Sequence, residues 1–160
     1  MDTMQVAAHV AEIARGTAHT AGRAVDAIFI DSIGVGAGVY DRLNQLGFTN
    51  LYAVNGANAP VKEKYENKRA EMYGRFEEWL KSGGSLPNDS ELFEQLTALE
   101  YYFNNRNRLL LESKQEIKKR GLASPDIADS YSLTFAEFVP PRDMAASSTS
   151  NTYEHDYEID

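Results

Sequence analysis

The chain has no cysteine and only three histidines among 160 residues, and its 16 basic side chains are outnumbered by 24 acidic ones. Without thiols it can form neither a disulfide nor a thiolate-held metal site, a composition that suits a reducing compartment. His9, His19 and His155 fall at no ligand spacing, which argues against a zinc centre and for a hard ion, if any, held by carboxylate oxygens. No apolar run approaches the length that spans a bilayer, and Met1-Asp2-Thr3-Met4 lacks the basic and apolar stretches of a secretory leader. The net charge of -8 argues against an open, non-specific nucleic-acid surface. Part of that charge is local: from Val139 to Asp160 five acids stand against Arg142 alone, a net of about -4 when segments are scored separately, so the total neither supports nor excludes nucleic-acid binding.

What is present suffices for one core, with 42% hydrophobic residues. Asp2 or Thr3 caps a first helix to about Arg15, and the small polar stretch from Gly16 to Arg23 reads as a loop. Val25 to Asp31 reads as a buried strand ending in a carboxylate. Gly34-Val35-Gly36-Ala37-Gly38 then turns into a helix that stops at Gly47, and Leu51 to Val54 forms a second strand. That order is a parallel crossover unit. A long helix from Lys64 to Lys81 ends at Gly83-Gly84, and Asn88 or Asp89 caps a helix to about Leu99. Tyr101 to Phe103 and Leu109 to Leu111 form a hairpin, and a short helix spans Lys114 to Arg120. Past Pro140-Pro141 the hydrophobic pattern stops, so the expected organisation is one domain over residues 1–138 and a disordered acidic tail over 139–160.

Two segments carry candidate chemistry. Asp31 ends a strand before a Gly-rich turn, where open α/β sheets build sites, although an aspartate there also serves as a plain turn residue. Gly34 and Gly36 do not complete a dinucleotide fingerprint, because position 39 is Val39, and no phosphate loop with Gly-Lys-Ser or Gly-Lys-Thr occurs. The expected role of Gly34, Gly36 and Gly38 is backbone clearance for a ligand approaching Asp31. In the second segment, Ser124 suits the N-cap of a helix with Pro125 at its first position and Ile127, Tyr131, Phe135 and Phe138 as its buried stripe. Asp126 complements the helix dipole. Asp129 lies three residues on, and two carboxylates at that spacing repel unless a cation lies between them. A metal would serve, and so would Lys118, Lys119 or Arg120; from the segment alone a solvated helix start ranks above a metal site. Lys68 and Arg69 form a second basic group, read either as a solvated face or as phosphate contacts.

In this order, Phe29-Ile30-Asp31-Ser32-Ile33-Gly34-Val35-Gly36-Ala37-Gly38-Val39-Tyr40-Asp41-Arg42-Leu43, Tyr65-Glu66-Asn67-Lys68-Arg69-Ala70-Glu71-Met72, and Ser124-Pro125-Asp126-Ile127-Ala128-Asp129-Ser130 with Thr134-Phe135-Ala136 closely resemble the C-terminal nuclease domain of the large terminase subunit of tailed bacteriophages and prophages. The resemblance runs from about Thr3 to Phe138. It implies an α/β chain with a partial ribonuclease H-like fold, a short mixed sheet flanked by helices and lacking the first strands. It also implies a nuclease that cuts concatemeric viral DNA with two Mg²⁺ or Mn²⁺ ions, one activating water and one stabilising the leaving oxygen.

By the same resemblance Asp31 and Asp129 are catalytic metal ligands, Asp126 is a nearby ligand, and Lys68, Arg69, Lys118, Lys119 and Arg120 hold the DNA. The expected partners are double-stranded DNA, the portal protein and the small terminase subunit, in the cytoplasm of the bacterial host. The family's ATPase motor and first catalytic aspartate have no counterpart in the sequence, so the expectation is weak or no cleavage by this chain alone. The alternative is a non-catalytic module that docks on the portal, the procapsid or a partner terminase piece; an unrelated ribonuclease H-like resolvase explains Asn67-Lys68-Arg69 less well.

Overall fold

The computed structural model describes residues 2–22 and 24–140; the expected acidic tail therefore lies almost wholly outside the described residues. Six helices and four strands occur among them. In chain order they are α1 (Thr3–Ala21), β1 (Ile28–Asp31), α2 (Val35–Gln45), β2 (Leu51–Val54), α3 (Lys68–Lys81), α4 (Ser90–Ala98), β3 (Tyr101–Phe103), β4 (Leu109–Leu111), α5 (Lys114–Lys119) and α6 (Asp126–Leu133).

The crossover unit forms as its pattern predicts. β1 and β2 pair in parallel, Ile28 opposite Leu51 and Asp31 opposite Val54. Side chains alternate across a strand, so Ile28 and Ile30 meet Ala7, Ala11, Val39 and Leu43 of α1 and α2, while Phe29 lies with Val54, Met72 and Ala136 on the opposite face. Asp31 shares that second face, which turns it towards α3 and α6. The antiparallel hairpin β3–β4 also forms as expected, with Tyr101 opposite Leu111. The four strands do not merge into one mixed sheet among the described residues: they form two two-stranded sheets, and a single bridge between Tyr65 and Leu109 ties the hairpin to the segment before α3.

Three local expectations are corrected. α1 runs through the stretch read as a loop and ends at Gly22, in the left-handed region at φ 63°. Thr17 and Thr20 direct their hydroxyls back to the carbonyls of Ile13 and Gly16, so these side chains no longer compete with the helix for backbone groups. α3 begins four residues late, at Lys68, where Asn67 accepts from the N–H of Ala70 as N-cap. Phe138 is not part of a buried stripe: α6 ends at Leu133 and Phe138 is 85% exposed, whereas Phe135 stacks on Phe76 at 5.1 Å between ring centres.

Candidate functional site

A cleft of about 540 Å³ opens between the end of β1, the hairpin, α3 and the start of α6, and its lining includes Asp31, Arg69, Lys114, Asp126 and Asp129. Two of the three expected acidic positions come from α6 and the third from β1. The carboxylate of Asp31 accepts from the N–H of Ile33, closing a tight turn before α2.

The start of α6 is not capped by Ser124. Its hydroxyl instead donates to Oδ1 of Asp126 at 2.7 Å, and the free N–H groups of Ile127 and Ala128 are taken by Oε1 of Gln95, reaching over from α4. The hydrogen bond from Ser124, aided by the charge of Lys114, holds the Asp126 carboxyl below the usual carboxylate range. Capping from a neighbouring helix fixes where α6 starts and hence where Asp126 and Asp129 project.

Asp129 is the hub of the cleft. Its Oδ1 accepts from the Tyr73 hydroxyl at 2.8 Å and from Nε and Nη2 of Arg69 at 3.3 and 3.2 Å, while Oδ2 lies 3.0 Å from Nζ of Lys114. Nη1 of Arg69 donates to the carbonyl of Glu112 at 2.9 Å, which ties the guanidinium to the loop after β4. Burial pushes the Tyr73 hydroxyl up, and the negative charge of Asp129 pushes it further, so it remains a donor throughout the physiological range. Lys114 also lies 3.4 Å from Asp126. Partial burial works to lower the Lys114 ammonium, but the two carboxylates outweigh it and raise it above its ordinary value.

The like-charge conflict between Asp126 and Asp129 is therefore relieved by Lys114, with Arg69 adding a second cation on Asp129. The sequence reading named Lys118, Lys119 and Arg120 and missed Lys114 and Tyr73. A signal for each was present: Ser113 and Glu116 form a capping box that puts Lys114 in the first turn of a helix, and Tyr73 lies one helical turn beyond Arg69. Nothing in the sequence pointed to Gln95.

Three of the expected DNA contacts and two of the glycines have other partners. Lys68 is 7% exposed, 2.9 Å from Glu137 and 3.9 Å from the fully buried Glu71, so its charge is consumed inside the fold. Arg69 reaches the cleft but spends its donors on Asp129 and Glu112. Arg120 pairs with Glu112 at 2.6 Å and Glu100 at 3.1 Å and turns away from the cleft. Lys118 and Lys119 are exposed on α5, outside the cleft lining. Gly36 and Gly38 lie inside α2. A Cβ at Gly36 would stand 1.7 Å from the carbonyl oxygen of Asp31, and one at Gly38 would stand 2.8 Å from Thr3. Their clearance lets α2 close against β1 and α1. Gly34 meets the backbone requirement of the turn, at φ 69°.

A hard divalent ion requires oxygen donors, and the three aspartates are of the right chemistry. Among the described residues, however, no three His, Cys, Asp or Glu side chains group closely enough to hold an ion between them. The pair Asp126 and Asp129 does converge on a cation position, and Lys114 provides the cation. An ion of the magnesium type keeps much of its water and takes only one or two carboxylates from a protein. The donor set thus fits such an ion in exchange for the ammonium, and does not fit a closed cage of protein ligands.

The strand, helix, strand crossover with α3 and α6 against its second face has the fold of solved terminase nuclease domains. The nuclease domain of the large terminase subunit gp2 of bacterial virus Sf6 superposes with a TM-score of 0.61 at 23% identity, over 81% of this chain and 72% of that one. A lysine-to-alanine variant of the same domain with manganese gives 0.60 at 24% identity over 80% and 72%, and one with calcium gives 0.61 at 23% over 80% and 71%. No family model and no curated protein sequence matches the chain.

Proposed function

We propose that this chain acts as the nuclease domain of a phage DNA-packaging terminase, in which Asp126 and Asp129, with Asp31 lining the same cleft, recruit Mg²⁺ or Mn²⁺ beside a DNA phosphate. The observation that supports it is the convergence of the end of β1 and the start of α6 on one cleft, within a fold shared with solved terminase nuclease domains that include manganese- and calcium-containing forms. A bound ion would supply Lewis-acid polarisation of a phosphate and an activated water.

The protein's own residues supply the rest. Asp126 and Asp129 offer oxygens from a helix start whose position Gln95 secures, Asp31 faces them from β1, and Lys114 and the exposed Lys118 and Lys119 lie on one helix as phosphate contacts. Such contacts position a duplex without reading its sequence. On this reading the substrate is concatemeric viral DNA, the partners are the portal protein and the small terminase subunit, and the setting is the host cytoplasm. Because Asp129 is already neutralised by Arg69 and Lys114, cleavage by the chain alone is weak or absent. Incubation of supercoiled plasmid with the purified chain and Mn²⁺ tests this. Slow nicking that disappears in Asp31→Ala and Asp129→Ala supports the reading; nicking that survives both substitutions refutes it.

A further inference from the structure

Resting on the reading of the cleft as a site for hard divalent ions, we propose that Tyr73 and Arg69 determine its ion specificity. They tie down one oxygen of Asp129 so that only the other, the one paired with Lys114, is left to an incoming ion, which favours Mg²⁺ and Mn²⁺ over Ca²⁺. Oδ1 accepts three hydrogen bonds, one from Tyr73 and two from Arg69, and Oδ2 is the oxygen paired with Lys114.

Neither holder is free to let go. Tyr73 belongs to the core formed with Leu92 and Ala128 and is only 8% exposed, so exchanging Asp129 for water at its hydroxyl is costly. Arg69 is braced by the Glu112 carbonyl through Nη1, and its guanidinium lies over the Tyr73 ring at 5.4 Å from the centre. Rotation of the Asp129 carboxylate therefore costs several hydrogen bonds at once.

The consequence for an incoming ion follows from coordination chemistry. Calcium takes a larger shell of oxygens and commonly engages both oxygens of a carboxylate, whereas magnesium takes single oxygens in a tight octahedron and keeps several waters. Manganese shares the octahedral oxygen preference. A carboxylate with one oxygen committed to the protein can bind only through the other, and that limitation falls on calcium. Tyr73 and Arg69 are thus positioning residues, which select the ion without touching it.

The test titrates the full chain with MnCl₂ and, separately, CaCl₂ in the absence of DNA. Affinities are read by calorimetry, and circular dichroism and Tm are recorded for each variant. Tyr73→Phe is expected to keep its fold and to shift the ratio of Ca²⁺ to Mn²⁺ affinity by about tenfold towards calcium, the scale on which hydrogen-bond partners of metal ligands act. Arg69→Lys keeps the charge but cannot hold Oδ1 and the Glu112 carbonyl together; it carries the same expectation and decides the matter if Tyr73→Phe does not fold. An unchanged ratio in a folded variant that still binds both ions overturns the proposal and leaves the metal reading standing. If the wild-type chain binds neither ion, the metal reading and this proposal fall together.

Discussion

Nζ of Lys114 lies 3.0 Å from Oδ2 of Asp129 and 3.4 Å from Oδ1 of Asp126, so a single ammonium bridges the two carboxylates at the start of α6. A divalent ion drawn to those oxygens must displace it. Two unit charges at such a separation interact by about 1 kcal/mol in water and about 4 kcal/mol near a protein surface. Lys114 is half exposed, so the lower end applies. Lys114→Met is expected to tighten Mn²⁺ binding by roughly tenfold, measured by calorimetry without DNA. Unchanged or weaker binding would show that Lys114 does not compete with the ion.

Glu71 is fully buried on α3. Its carboxylate accepts from the N–H groups of Val61 and Lys62 at 2.9 and 3.1 Å and pairs with Arg75 at 3.0 Å, and Arg75 continues to the carbonyls of Phe135 and Ala136. This network fastens both the segment before α3 and the turn after α6. Removing one partner of a buried ion pair costs about 3–5 kcal/mol, because the other charge stays buried. Glu71→Gln is expected to lose that much in urea denaturation, and a loss below about 1 kcal/mol would contradict the role given to the network.

Acid should weaken the fold through the same group and through Glu112. Burial pushes the Glu71 carboxyl up, but the N–H groups of Val61 and Lys62 and the charges of Arg75 and Lys68 outweigh it and hold it below 4.5. At Glu112 burial is likewise outweighed by the hydrogen bond from Arg120 and the N–H of Glu100. With folded values below 4.5, the unfolded chain takes up protons first. The stabilisation is present at pH above the ordinary carboxylate range and is lost as pH falls through the folded values. A plot of Tm against pH should drop over that range, and Glu71→Gln or Glu112→Gln should flatten it.

Gly36 and Gly34 separate packing from backbone conformation. A Cβ at Gly36 would stand 1.7 Å from the Asp31 carbonyl, a backbone atom with nowhere to move. Gly36→Ala is therefore expected to cost at least the upper end of the roughly 1–3 kcal/mol typical of overpacking. Gly34→Ala meets no atom but must adopt φ 69° with ψ -120°, outside the left-handed helical well, which costs about 1–3 kcal/mol for an L-residue. Thermal melts of the two variants rank them, and equal losses would show that the approach of α2 to β1 is not the tight contact described.

Arg120 and its lysine neighbours should part company in function. Arg120→Ala breaks the pairs with Glu112 and Glu100 and is expected to lower Tm. Lys118→Ala and Lys119→Ala should leave Tm unchanged and weaken DNA binding in low salt, read by fluorescence anisotropy. The reverse assignment would restore Arg120 as a DNA contact.

Elements whose signal is local were legible in the sequence. β1 and β2 follow from short apolar runs, the hairpin from two apolar runs around Asn104-Asn105-Arg106-Asn107, and α4 from Asp89, which caps it by accepting from Glu91 and Leu92. Asp31, Asp126 and Asp129 were legible as candidates because a carboxylate at a strand end and two more at helical spacing are patterns within a few residues. What failed depended on distant partners. Ser124 has every local attribute of an N-cap, yet Gln95 of another helix supplies that cap. The paired basic residues at 68 and 69 look alike in the sequence, but α3 buries Lys68 against Glu71 and Glu137 and delivers Arg69 to Asp129.

The amino-acid order thus decided where strands, turns and helix starts fall, because backbone preferences and side-chain periodicity act over one or two turns of chain. It also decided that any metal here is held by oxygen, since no thiol exists and the histidines are scattered. Folding decided the charge state of the cleft. Lys114 and Arg69 reach Asp129 only when α5, α3 and α6 are docked, and the strength of an ion pair depends on separation through space, which spacing along the chain does not reveal.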